Sequence, residues 1–96
     1  MPNRSYRIGY NFERRVKKHF ENLGYMVIRQ GKSRFPDLLV IERGTTKIFF
    51  VECKVRGCLD VEENAKALDI VLDKIPFKVA YRRGKKLLIK NFEVVN

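Results

Sequence analysis

The chain has 96 residues, 45% hydrophobic and 33% charged, proportions that describe a globular chain with one modest core and exclude a disordered one. No apolar run approaches the ~20 residues needed to span a bilayer, and the N-terminus lacks a signal-peptide core, so an intracellular location is expected. A net charge of +10, spread along the chain, calls for a polyanionic partner. Nucleic acid is the first candidate, ahead of an anionic membrane surface.

Residues 5–23 read as an amphipathic helix, with Phe12, Val16, Phe20 and Leu23 on one stripe and Gly24 placed to end it. Arg14, Arg15, Lys17 and Lys18 cover the other faces. Glu13 borders the apolar stripe, where its simplest role is a surface pair with Lys17 at i,i+4. Residues 25–29 form a short strand, followed by a loop over residues 30–35 that carries Gly31, Lys32, Ser33 and Arg34. A hairpin then runs from Pro36 to Lys54, its two β-rich runs flanking a turn over Arg43-Gly44-Thr45-Thr46. After a connection over residues 55–59, a second helix is expected over residues 61–74. Asp60 and Glu63 form its capping box, and Pro76 blocks its continuation. Its core stripe is expected at Val61, Ala65, Leu68, Leu72 and Ile75. Ala67, Ile70 and Val71 widen the apolar surface beyond what one sheet needs, with core burial as the default explanation and a partner subunit as the alternative. A last hairpin joins residues 77–81 to 87–90 through a basic turn over residues 82–86, a solvated tip able to reach phosphates. The order is α-β-β-β-α-β-β, an α/β layer on a mixed sheet.

The central hairpin carries the chemistry. Strand alternation puts Glu52 and Lys54 on one face, while Phe49, Val51 and Cys53 face the other. With Asp37 starting the partner strand, two carboxylates, a lysine and the backbone carbonyl of Cys53 converge on one point. Such an oxygen set suits a hard divalent cation. Magnesium held there would activate a water and neutralise charge at a phosphodiester, and Lys54 would stabilise the scissile phosphate or position the water. Glu13 could add a ligand, directly or through water. A plain surface pair between Glu52 and Lys54 is the competing interpretation. The two cysteines, Cys53 and Cys58, with the lone His19 far away on the first helix, make neither a disulfide framework nor a zinc site.

Pro36-Asp37…Glu52-Cys53-Lys54 resembles the PD-(D/E)xK nuclease motif. With residues 9–14 (Gly-Tyr-Asn-Phe-Glu-Arg), residues 24–29 (Gly-Tyr-Met-Val-Ile-Arg) and Ser33 in the intervening loop, the chain resembles archaeal-type Holliday junction resolvases over residues 5–82. The resemblance implies a restriction-endonuclease-like α/β core, a mixed β-sheet flanked by helices. It further implies a homodimer that cuts four-way DNA junctions with magnesium, for which manganese would substitute. It makes Glu13, Asp37, Glu52, Lys54 and Ser33 the catalytic set, with Glu13, Asp37, Glu52 and the Cys53 carbonyl on the metal. Arg14 and Arg29 would bind the DNA backbone. A basic face of Arg4, Arg7, Arg14, Arg15, Lys32, Arg34 and Arg56 would hold the junction arms through phosphates, selecting shape and charge over sequence. Two departures stand out: the chain is shorter than most such resolvases, in keeping with a virus-encoded member, and Arg34 and Phe35 occupy the serine loop where smaller residues are expected. The alternatives are a PD-(D/E)xK nuclease for flaps, nicks or linear duplex, and a non-catalytic basic nucleic-acid-binding module.

Overall fold

The structure, a computed structural model, describes residues 4–31 and 34–93, the side chains of Ser5 and Tyr6 excepted. Helix α1 (Arg4–Asn22) leads into strands β1 (Met26–Arg29), β2 (Leu38–Ile41) and β3 (Ile48–Cys53). Helix α2 (Val61–Leu72) then crosses to β4 (Phe77–Arg83), and β5 (Lys86–Asn91) closes the chain. The five strands form one mixed sheet in sequence order. β1–β2, β2–β3 and β4–β5 pair antiparallel, while β3 and β4, joined by the helical crossover, are parallel. This is the expected α/β arrangement, consistent with a restriction-endonuclease-like core. Among the described residues, no helix is long and apolar enough to cross a membrane.

Successive strand residues face opposite sides, so the sheet carries two cores. On one side Phe12, Val16 and Phe20 of α1 pack on Val27, Leu38, Val40, Val51 and Ala80. On the other, Ala67 of α2 covers Phe77 and Val79, with Phe50 and Phe35 alongside. The i, i+4, i+8 spacing of the α1 residues is what turns its apolar face to the sheet. The helix stops where Gly24 takes a left-handed φ of +95°. The Tyr25 N–H then reaches back to the Phe20 carbonyl at 3.1 Å, and the Gly24 N–H to the Glu21 carbonyl at 3.0 Å, a Schellman closure. That closure removes Leu23 from the buried stripe on which periodicity placed it, leaving it 62% exposed.

Helix α2 departs more from expectation. Its capping box forms: Asp60 Oδ1 accepts from the Glu63 N–H at 2.8 Å and Glu63 Oε1 from the Asp60 N–H at 3.0 Å. The buried face, however, is only in part the expected one: of the expected stripe, Leu68 and Ile75 are half-buried. Val61 and Leu72 are 88% and 68% exposed, and Ala65 is exposed too, while Ala67, Ile70 and Val71 pack on the sheet. Glu63, Ala67, Ile70 and Val71 follow helical spacing, so the stripe that meets the sheet is headed by a carboxylate. The last hairpin is also longer than expected. Arg82 and Arg83 belong to β4 and Lys86 to β5, leaving a two-residue turn at Gly84-Lys85, with Gly84 at φ +62°.

Candidate active site

The connections around the central hairpin fix two carboxylates by backbone. Asp37 sits one residue before β2; its carbonyl accepts from the Gln30 N–H at 3.0 Å, and the Gln30 side-chain amide donates to the Pro36 carbonyl at 2.7 Å. The Asp37 N–H donates to Glu52 Oε1 at 3.0 Å, and the Cys53 N–H donates to Asp37 Oδ2 at 2.9 Å. Each carboxylate is therefore held by the backbone beside the other. Beyond the end of β3, the Lys54 N–H still pairs with the Ala80 carbonyl on β4 at 2.9 Å. The 53–54 peptide bond is trans, so the Cys53 carbonyl points the opposite way, toward the Asp37 side.

Burial governs the electrostatics. Glu52 is 5% exposed, and its pKa is pushed up to about 9, first by burial and then by the charge of Asp37 beside it. Asp37 also lies above the usual carboxylate range, burial outweighing the hydrogen bond from Cys53. Without a cation, the pair retains a proton that two separate carboxylates would have lost. The Cys53 thiol is pushed up by burial and by Asp37 and stays protonated, so its side chain packs against the α1-side core as a small apolar group.

Lys54 reaches over the pair from the end of β3. Its Nζ lies 3.7 Å from Glu52 Oε2 and 2.6 Å from Glu63 Oε2 on α2. Burial, the largest single influence, lowers the lysine pKa, but Glu63 together with Glu52 and Asp37 outweighs it and the net shift is upward. Glu63 moves the other way: the Asp60 N–H and the Lys54 ammonium overcome its burial and lower it.

Glu13 approaches from α1. It does not pair with Lys17, whose ammonium instead meets Glu21 at 2.9 Å; it pairs with Arg29 at the end of β1. Its charge is nonetheless felt at Asp37, where it adds to the upward shift. The guanidinium of Arg29 lies 5.1 Å from the centre of the Tyr10 ring, and that of Arg14 lies 5.7 Å from it. Arg4, Arg7, Arg34 and Arg56 are exposed. Arg15 donates to the Lys85 carbonyl at 2.7 Å, tying α1 to the β4–β5 turn. Lys32 and Ser33 lie outside the described residues.

Of the residues singled out in the sequence, the structure thus brings together Asp37, Glu52, Lys54 and the Cys53 backbone, with Glu13 and Arg29 paired at their edge. Glu63 and Tyr10 were missed. The i,i+3 capping spacing had already spoken for Glu63, and one aromatic on an exposed helix face carries no signal of its own.

Among the described residues, no group of three or more His, Cys, Asp and Glu side chains is placed to hold a metal ion. A buried Glu52 beside a half-buried Asp37 is present, and this pair of carboxylates fits magnesium, which takes few protein oxygens and keeps several waters. They do not resemble a closed nitrogen and sulfur site for zinc.

Comparison with curated proteins gives no match. A family model does match: residues 4–69, which include α1, the β1–β3 meander with the Asp37–Glu52 pair, and the first turns of α2, fit that of the archaeal Holliday junction resolvase (Hjc) family, a family of junction-cutting nucleases, and the chain belongs to it.

Proposed function

We propose that the protein is a magnesium-dependent, structure-selective endonuclease that resolves four-way junctions by paired, symmetric cuts as a homodimer. The observation that carries the reading is the reciprocal hydrogen bonding of Asp37 and Glu52, a buried dyad raised in pKa with one lysine above it. A buried acidic pair is costly unless a cation or proton offsets it, and such clusters gather at functional sites. Asp37, Glu52 and the Cys53 carbonyl would hold magnesium, with Glu13 joining directly or through water after leaving Arg29. The ion supplies charge neutralisation at the phosphate and a more acidic water. Lys54 would then face the scissile phosphate, where a fixed cation favours the more highly charged transition state. Arg14 and Arg29, gathered on Tyr10, and the exposed Arg4, Arg7, Arg34 and Arg56 would bind backbone phosphates, giving affinity that weakens steeply with salt. Lys32 and Ser33 would complete the DNA contacts and the active-site loop. Manganese would substitute for magnesium. A homodimer is supported by the exposed apolar face of α2 at Val61, Ala65 and Leu72, since two symmetric cuts need two sites held at fixed separation.

The test is an end-labelled four-way junction incubated with the protein and magnesium, with linear duplex and a three-way flap as competitors. Paired cuts at symmetric positions are expected, reduced on the order of a thousandfold in Asp37→Ala, as for loss of a principal electrostatic group. Equal cutting of all substrates would retain a nuclease and remove the junction role. Tight binding without cutting in magnesium or manganese would leave only a basic binding module.

A further inference from the structure

A capping-box glutamate needs one oxygen for its task, and Glu63 spends Oε1 on it, accepting the Asp60 N–H at 3.0 Å. The other oxygen, Oε2, takes the Lys54 ammonium at 2.6 Å. That contact is much closer than the 3.7 Å from Lys54 to Glu52. The carboxylate is thus anchored on one side by a backbone donor at a helix start and holds a cation on the other. Lysine is a flexible stem ending in a strongly hydrated point charge, and even this half-buried side chain would otherwise sample several rotamers. With no tether, the nearest negative charge would be the one shared by the Asp37–Glu52 pair, onto which the ammonium would collapse.

We propose that Glu63 is a positioning residue for the reaction, using the α2 capping box to hold the Lys54 ammonium beside, and not upon, the Asp37–Glu52 pair. The proposal rests on the nuclease reading for its consequence, but the tether is a property of the free protein. It also gives a reason for the orientation of α2. Glu63, Ala67 and Ile70 share one helical face, so the packing that buries Ala67 is the packing that brings Glu63 to Lys54.

Glu63→Gln separates the two roles. Glutamine serves a capping box as glutamate does, so the fold is expected to survive with only a small fall in melting temperature from the lost ion pair, but its amide cannot hold an ammonium as a carboxylate can. Single-turnover cleavage of the four-way junction should fall by roughly tenfold to a hundredfold, the scale of a misplaced reacting group, with junction affinity unaltered. In parallel, NMR of the metal-free protein reads the tether directly. The ε-methylene protons of Lys54, inequivalent when the side chain is held, should average to one signal in Glu63→Gln. Lys54 signals that do not change in the variant overturn the proposal, whatever the rate does. Averaged signals with an unchanged rate overturn the positioning role, provided that Lys54→Ala is inactive. If Lys54→Ala cuts normally, the role of lysine in the nuclease reading falls instead, and the NMR result alone judges the tether.

Discussion

The two faces of the sheet are built differently. Under α1, aromatic and branched side chains from one helix and four strands interlock around Leu38, Val16, Val40 and Val51, each fully buried. Under α2 the helix contributes a single fully buried residue, Ala67, and presents a carboxylate at the head of its packed stripe. The strands that carry Asp37 and Glu52 are anchored by the dense face, while their polar side chains open toward the thin one. A site of the proposed kind, taking a cation and a phosphate, would need carboxylates that do not move and a neighbouring layer that does not fill the space. The contrast between the faces supplies both.

Truncation on the two sides should expose that contrast. Leu38→Ala removes a fully buried side chain from the dense face and should cost about 2–5 kcal/mol, read from urea unfolding. Ile70→Ala on the α2 side removes a half-buried side chain and should cost roughly 1 kcal/mol. Equal losses would mean that α2 is as firmly packed as α1, and the contrast would fail.

The next largest effect is on pH. Glu52 is raised from 4.5 to about 9 in the folded protein, so between those values the native state holds a proton that the unfolded chain has released. Stability must therefore fall as pH rises through that window. Magnesium, favouring the ionised pair, should reduce the slope and raise the melting temperature at pH 8. Glu52→Gln should be more stable than the parent at pH 8 in the absence of metal, and its stability should depend less on pH. A parent protein that grows more stable from pH 5 to pH 9 without metal would show that the dyad is not a buried repulsive pair.

Why the sequence disclosed the dyad and hid its surroundings has a physical reason. Period-two alternation in a strand is rigid, so the spacing of Glu52 and Lys54 fixes that they share a face, and an antiparallel hairpin fixes that Asp37 lies opposite. The same rigidity made the element order readable. Helix α2 offered no such constraint, because Val61, Ala65 and Leu72 on one side and Ala67, Ile70 and Val71 on the other are equally apolar. The face that packs is the one that also brings Glu63 to Lys54, and an ion pair between residues nine apart leaves no periodic trace. The end of α2 was hidden for a similar reason. Lys74 occupies a left-handed conformation, φ 66°, where glycine is the usual signal, and its N–H caps the Val71 carbonyl at 2.9 Å. Glu13 shows the opposite case: helical spacing offered Lys17, yet Arg29, brought alongside by the β1–α1 packing, took the pair.

The smallest expected effect on the monomer is also the sharpest test of what the thin face leaves uncovered. Leu72 is 68% exposed and Val61 is 88% exposed, so neither contributes much to the fold of one chain. Leu72→Lys should therefore alter unfolding by no more than about 0.5 kcal/mol for an isolated surface position. If the α2 face is where two copies meet, the same substitution places a charge in an apolar contact. The sedimentation coefficient should then drop to that of a monomer, and paired cutting should give way to single nicks at unchanged total rate per site. A dimer that survives Leu72→Lys and Val61→Lys together would place the two-fold axis elsewhere. The best alternative would be the end of the sheet at β1, where Met26 and Ile28 are also exposed.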